Sequence, residues 1–457
     1  MSHRIWSEKA TKRTILLKHQ LQYDALMDAL GHVDGTLLQP KPRCIAPFKC
    51  LTVDPNGDVF SDAVYRNALG NLKEQSLKEI WEGPQWKQLR DDQMNGTINP
   101  GCVDCHKKDK MVGHSRRRFF DTFFMYRMPK KDMEPITDDQ GWNLTLRPKV
   151  TDFENPNFLF LEVQTSNKCN LKCVHCRGAV STGWIPDEKK LLKSGVSDLR
   201  PERFGVYAMD KQIIDKIFEY PEYFKSLRYV ALRGGEPTYE VKNKLVLQKL
   251  IDLGWNKQIT VDISTNATVN DDSFFDLLNQ FESVMLYISI EGIGEMYDYC
   301  RGNKKYQIDD LEKMIFKYAR LRNIEICITF TSMATNVFNI RPTWEWLQKY
   351  RDYCTFSFSN TVSQPNYLSF SCLSDEMRKE AYDMIQDIHE DMPWPGDFNR
   401  TYQAGIDKLK VNLCKPQDPE WRSYFDNFIR YTEELDKIRN TNFLEVEPAF
   451  KKYWEMK

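Results

Sequence analysis

The chain has 457 residues and a mass of 54.0 kDa, enough for roughly two to three folding units with a substantial core. Its 64 Lys and Arg against 65 Asp and Glu leave a net charge of -1, which points to neither a polyanion binder nor an acidic-tail protein. No apolar run of about 18 residues occurs, against a spanning helix. The N-terminus also lacks the apolar core of a signal peptide, so a cytoplasmic protein is the expectation.

Residues 1–40 read as a helical segment that ends in the Gly/Pro-rich stretch GHVDGTLLQPKPR. Residues 41–118 form a small module. It opens with CIAPFKCLTV and DPNGDVF, whose Pro-Asn-Gly turn between β-prone runs signals a hairpin. SLKEIWEGPQWKQLR then predicts a short helix pair before the GCVDC cysteines. Residues 107–157 are polar, basic and aromatic without a clear period, with 119–157 read as a linker. The stretch 107–131 interleaves Lys and Arg with Phe and Tyr, a pattern that also suits base stacking. A linker docked on its neighbour is the preferred reading, and nucleic acid is not an expected partner.

From residue 158 the pattern changes. FLFLEVQ, LRYVALR, QITVDIS, VMLYISI, EICITFT and CTFSFS are six short strand candidates. Helix candidates around 207–223, 241–253, 272–281, 307–322 and 341–351 separate them, which predicts a parallel sheet with right-handed crossovers over 158–362. Residues 363–457 form a helical C-terminal region. Several strands are polar on one face: Phe160, Glu162, Gln164 and Ser166; Thr260, Asp262, Ser264 and Asn266; Tyr287, Ser289 and Glu291; Glu325, Cys327 and Thr329. Aliphatic residues on the opposite faces and polar ones inward predict a curved sheet lining a wet cavity, an open or partial β/α barrel.

Twelve cysteines do not fit an ordinary soluble chain. Without a secretory signal they do not suggest disulfides. Cys44 and Cys50, Cys102 and Cys105, and Cys169, Cys173 and Cys176 lie in groups that read as metal or iron–sulfur ligands. Cys300, Cys327, Cys354, Cys372 and Cys414 stand alone and read first as packing. The first strand of the sheet runs straight into SNKCNLKCVHC. Three thiolates spaced Cys-x3-Cys-x2-Cys can hold three irons of a 4Fe–4S cluster and leave the fourth open to a small molecule. A zinc knuckle would need a fourth ligand, and the nearby His175 is too close in sequence.

This loop resembles the signature of the radical S-adenosylmethionine (SAM) enzymes. The resemblance implies a partial (β/α)6 barrel, a 4Fe–4S cluster on Cys169, Cys173 and Cys176, and SAM chelating the open iron. It also implies SAM contacts from His175, from Gly234, Gly235, Glu236 and Pro237, from Ser264 and Asn266, from Ser289 and Glu291, and from Arg301. One electron from a flavodoxin- or ferredoxin-type reductant would cleave SAM to methionine and a 5′-deoxyadenosyl radical, which takes a hydrogen atom from substrate. Cys327 and Cys372 are candidate hydrogen donors to a substrate radical.

Residues 44–118 resemble the SPASM/twitch module, a small α+β unit that carries an auxiliary Fe–S cluster in many radical SAM enzymes and here precedes the barrel. The family pattern places a Cys about five residues after the hairpin Gly, where this chain has Asp62. The auxiliary set is then Cys44, Cys50, Cys102 and Cys105, with Asp62 as an alternative ligand and zinc as an alternative metal. His106 and His114 read as ordinary residues. The resemblance implies a substrate that is a peptide or protein side chain or backbone (RiPP-type modification). A small molecule, sugar or nucleotide is the alternative, and a non-catalytic Fe–S or zinc binding protein a third reading.

Overall fold

The computed structural model describes residues 44–112, 115–117, 119–120, 133–137, 143–150, 155–196, 205–302, 305–388 and 398–455. The expected N-terminal helical segment, His114 and much of the basic aromatic stretch lie outside the described residues.

Eleven strands are present among the described residues: β1 (Cys50–Val53), β2 (Asp58–Phe60), β3 (Gly70–Asn71), β4 (Met133–Thr137), β5 (Asn143–Pro148), β6 (Phe160–Gln164), β7 (Tyr229–Arg233), β8 (Thr260–Thr265), β9 (Ser283–Ile290), β10 (Ile324–Ser332) and β11 (Thr355–Thr361). Nine make one sheet in the order β11, β10, β9, β8, β7, β6, β1, β2, β3, and β4 pairs with β5 in a separate hairpin. The six expected strands are β6 to β11, each parallel to its neighbour. Helices Lys211–Ile217, Val241–Asp252, Asp272–Leu278, Ile308–Ala319 and Ile340–Leu347 fall between them where periodicity places them. This is the partial barrel of the predicted fold class, with the small module before it and helices Asp375–Ile385, Phe398–Leu413 and Trp421–Arg439 after it.

One pairing was not expected. β1 of the N-terminal module lies parallel to β6, with Cys50 opposite Phe160 and Val53 opposite Val163. The Pro-Asn-Gly hairpin therefore extends the barrel sheet through antiparallel β2 and β3. At the other edge the helix Phe398–Leu413 packs on β11, covering backbone groups that an open edge would expose.

The two faces of the sheet divide as the alternation predicts. Val230, Leu232, Val261, Ile263, Leu286 and Ile288 are fully buried under the helices, each contributing about 1.5–3 kcal/mol by removal from water. On the inner face Tyr287, Ser289, Cys327 and Thr329 are only half-buried. Register sets them in rows across the wall. Ser264, Tyr287, Cys327 and Thr355 form one row, and Glu162, Ala231, Asp262, Met285 and Glu325 the row below it. No helix among the described residues is long and apolar enough to cross a membrane.

Candidate active site

The cysteine loop leaves the end of β6 and is fastened from every side. Asn167 accepts a hydrogen bond from the Tyr207 amide at 2.9 Å and donates to the Gly205 carbonyl at 2.8 Å. The Cys176 amide donates to the Cys173 carbonyl at 2.8 Å, which turns the loop tightly between these two thiols. The indole of Trp184 donates to the Cys173 carbonyl at 2.6 Å, and the Val174 amide donates to the Cys300 carbonyl at 2.7 Å. Two contacts come from the far end of the chain. The Tyr431 hydroxyl donates to the Val174 carbonyl at 2.9 Å, and Arg439 donates to the Lys172 carbonyl at 2.7 Å while pairing with Asp187 at 3.0 Å.

The segment after β7 lies directly on this loop. The Gly235 amide donates to the Ser166 carbonyl and the Glu236 amide to the Lys168 carbonyl. A Cβ on Gly234, whose φ is +127°, would stand 2.2 Å from the Ser166 oxygen, and one on Gly235 2.2 Å from the Lys168 oxygen. Only residues without a side chain permit that approach. Glu236 is buried, and its carboxylate accepts hydrogen bonds from the Thr238 amide and hydroxyl, the Thr265 hydroxyl and the Asn266 amide. Its environment is that of an internal strut joining the ends of β7 and β8. Pro237 accepts from the Asn243 amide group at 2.8 Å.

The strut sets Asn266, whose Nδ2 lies 3.8 Å from the Cys169 sulfur and donates to Asn170 at 2.9 Å. Ser264 is exposed at the rim of the lumen. From the last position of the helix Glu295–Arg301, Arg301 donates to the Cys173 sulfur at 3.3 Å and to the Ser289 carbonyl near the end of β9. Its Nε stands 2.9 Å from the carboxylate of Glu291, which is wholly buried. Burial alone would lower the Arg301 pKa, but Glu291 and Cys173 carry it above its ordinary value.

Burial pushes the Cys169 thiol up to about 12, with Glu236 adding to the effect. It raises Cys173 and Cys176 as well, and the Cys176 thiol is raised further by Cys173 and Cys169. Three mutually interacting thiols whose anions are disfavoured are what a bound cation relieves. Burial lowers the pKa of His175 below its ordinary value. Its Nδ1 and the Oε1 of Glu291 are enclosed without a partner, and Glu291 Oε2 faces the Arg301 Nε in an ion pair that makes no aligned hydrogen bond. An ammonium would satisfy the open Glu291 oxygen beside the Arg301 guanidinium, and the methionyl end of SAM carries one. The residues therefore fit a 4Fe–4S cluster on Cys169, Cys173 and Cys176 with SAM against Glu291, Arg301 and the Gly234–Gly235 turn.

Among the described residues no group of three or more His, Cys, Asp or Glu is gathered closely enough to hold a single metal ion. Cluster ligands bind separate irons, and here the chemistry of the donors carries the fit. Of the two candidate hydrogen donors, Cys327 lies on the lumen wall beside Tyr287 and Thr355. Cys372 is fully enclosed in the apolar core, where burial raises its thiol pKa. Thr238, Thr265, Tyr431 and Arg439 belong to the site but were not singled out from sequence. A Thr two residues after the GGE turn is a local signal, whereas Tyr431 and Arg439 carry none.

Residues 163–331 match the radical SAM superfamily model, and residues 44–106 match SPASM, described as an iron–sulfur cluster-binding domain. With the cysteine loop and its surroundings placed as above, the chain carries a radical SAM domain, and a SPASM module stands N-terminal to it. A 4Fe–4S cluster and SAM are the cofactors of this family, and the SPASM module implies an auxiliary cluster.

No curated protein matches the chain. Among solved structures, native anSMEcpe with bound AdoMet is 16% identical over 50% of this chain and 60% of its own, with a TM-score of 0.35. SuiB of Streptococcus suis bound to the precursor peptide SuiA is 15% identical over 51% of this chain and 46% of its own, TM-score 0.30. The methyltransferase TsrM of Kitasatospora setae, with tryptophan and a SAM analogue, is 12% identical over 45% and 36%, TM-score 0.32. This chain thus spans about three fifths of the first of these.

Proposed function

We propose that the protein is a radical SAM enzyme that cleaves SAM reductively and abstracts a hydrogen atom from a peptide or protein substrate. The observation that carries this reading is the two enclosed, unpartnered atoms His175 Nδ1 and Glu291 Oε1, beside the buried Glu291–Arg301 ion pair and the Cys173 sulfur. When bound there, the cluster and SAM supply a 5′-deoxyadenosyl radical. The chain's own residues hold the loop, orient the methionyl end of SAM and present the lumen to substrate. Cys327, on that wall, is the better placed of the two candidate thiols to return a hydrogen atom.

Two features favour a peptide. The SPASM module accompanies the barrel, and the half-buried inner face of β9 and β10, with Ser289, Cys327 and Thr329, offers partners to the amides of an extended chain. A cytoplasmic setting with a flavodoxin- or ferredoxin-type donor would supply the electron. Co-expression with a short peptide encoded beside the gene tests the substrate class. A mass change in that peptide supports the reading. An unmodified peptide, with 5′-deoxyadenosine release stimulated instead by a sugar or nucleotide, would favour the small-molecule alternative.

A further inference from the structure

A second set of thiols lies at the other end of the barrel wall. Cys50 starts β1 and is fully buried in an apolar cluster with Phe120, Phe160, Tyr229 and Ala231, against which Cys44 packs. Cys102 ends the short 3-10 turn Pro100–Cys102, and Cys105 lies in the helix Val103–Val112 that follows it. Asp62 lies near enough to both pairs for its charge to raise the Cys50 and Cys102 thiols. Position alone would make it a fifth candidate ligand.

Its bonds say otherwise. The Asp62 side chain is buried, and its Oδ1 accepts from Arg116 Nε at 2.8 Å. Its Oδ2 accepts from the Val64 amide at 3.4 Å. The same guanidinium reaches Glu162 on the inner face of β6 at 3.4 Å. It also lies 4.7 Å and 4.8 Å from the ring centres of Phe119 and Phe120 and 5.6 Å from that of Phe160. A cation held by two buried carboxylates and three aromatic rings is fixed in place. For Asp62 to turn to iron, Arg116 would have to give up its shorter carboxylate bond inside a poorly solvated site, a loss larger than that of an exposed pair. Four thiols already complete the ligand set of a 4Fe–4S cluster.

We propose that Asp62 anchors an ion bridge, Asp62–Arg116–Glu162, which bolts the SPASM module to the barrel wall, and that the auxiliary cluster is held by Cys44, Cys50, Cys102 and Cys105 alone. The second half rests on the reading that the module binds a cluster. Arg116 is in these terms a positioning residue.

The test uses the full chain after anaerobic reconstitution, with iron counts, electron paramagnetic resonance of the reduced protein and thermal melting. Asp62→Asn is expected to keep the wild-type iron count and spectrum, whereas Cys102→Ser loses about four irons. Asp62→Asn and Arg116→Gln are each expected to melt several degrees lower, and the double variant no lower than the worse single one. Glu162→Gln provides a second break in the same bridge if either single variant folds poorly. Loss of iron by Asp62→Asn equal to that of Cys102→Ser would overturn the ligand assignment. Additive or absent melting shifts would overturn the bridge. A wild-type protein with only about four irons, unchanged by Cys102→Ser, would instead remove the auxiliary-cluster reading, and the melting comparison would still decide the bridge.

Discussion

Arg301 stands with a guanidinium nitrogen 3.3 Å from the sulfur of Cys173 and its Nε 2.9 Å from Glu291. Both charged side chains are almost wholly enclosed. Arg301→Gln would leave Glu291 as a buried charge with its counter-ion gone, a change that costs about 3–5 kcal/mol of unfolding free energy. Anaerobic denaturant titration measures it. Adding Glu291→Gln should recover part of the loss, because the two side chains form one unit. Wild-type stability in Arg301→Gln would contradict the pairing.

Glu236 is surrounded by donors, so its charge is structural before it is anything else. Glu236→Gln turns one of the two accepting atoms into a donor facing the Thr and Asn266 groups, and stability should fall by about 1–3 kcal/mol. Because the Asn266 amide bonds this carboxylate at 2.6 Å, the KM for SAM should rise as well. Thr265→Val removes one donor and should have a smaller effect of about 1 kcal/mol. Equal effects from both would show that the carboxylate itself matters little.

The C-terminal helix clamps the cluster loop through Tyr431 and Arg439. Tyr431→Phe should lower stability by about 1 kcal/mol and Arg439→Met by about 1.5–3 kcal/mol, the second removing a charged partner of Asp187. Both should shorten the time for which reconstituted protein retains iron against a chelator. Retention as long as that of wild type would detach the helix from the role given to it here.

Gly235→Ala sets a Cβ where the Lys168 carbonyl already lies, at 2.2 Å. The backbone of the cysteine loop must move, with a penalty of about 1–3 kcal/mol. The expected readout is a fall in iron content together with loss of SAM-dependent spectral change. Gly254→Ala serves as the control: an added Cβ there meets nothing within 4 Å, although its φ of +73° makes the position strained on its own.

Much of this was legible in the amino-acid order. The alternation of Val261 and Ile263 with Thr260 and Asp262 identifies both the strand and its two environments. The spacing of Cys169, Cys173 and Cys176 identifies the loop. What stayed hidden depends on distance along the chain. CLTV is a four-residue apolar strand, and nothing in it says that its partner is β6, more than a hundred residues later. Arg116 is one of many basic residues in its stretch, and only the fold brings it to Asp62 and Glu162. Tyr431 and Arg439 read as ordinary members of an amphipathic helix until that helix meets the loop. For Glu236, the motif marks the residue, and the structure shows which way its carboxylate turns.

The most direct measurement is SAM turnover by the anaerobically reconstituted full chain with a strong one-electron reductant, followed by quantifying 5′-deoxyadenosine and methionine. The account predicts both products in equal amounts, and none when Cys169, Cys173 and Cys176 are all replaced by Ala. Undiminished product from that triple variant, or intact SAM with an iron-replete wild-type protein, would contradict it.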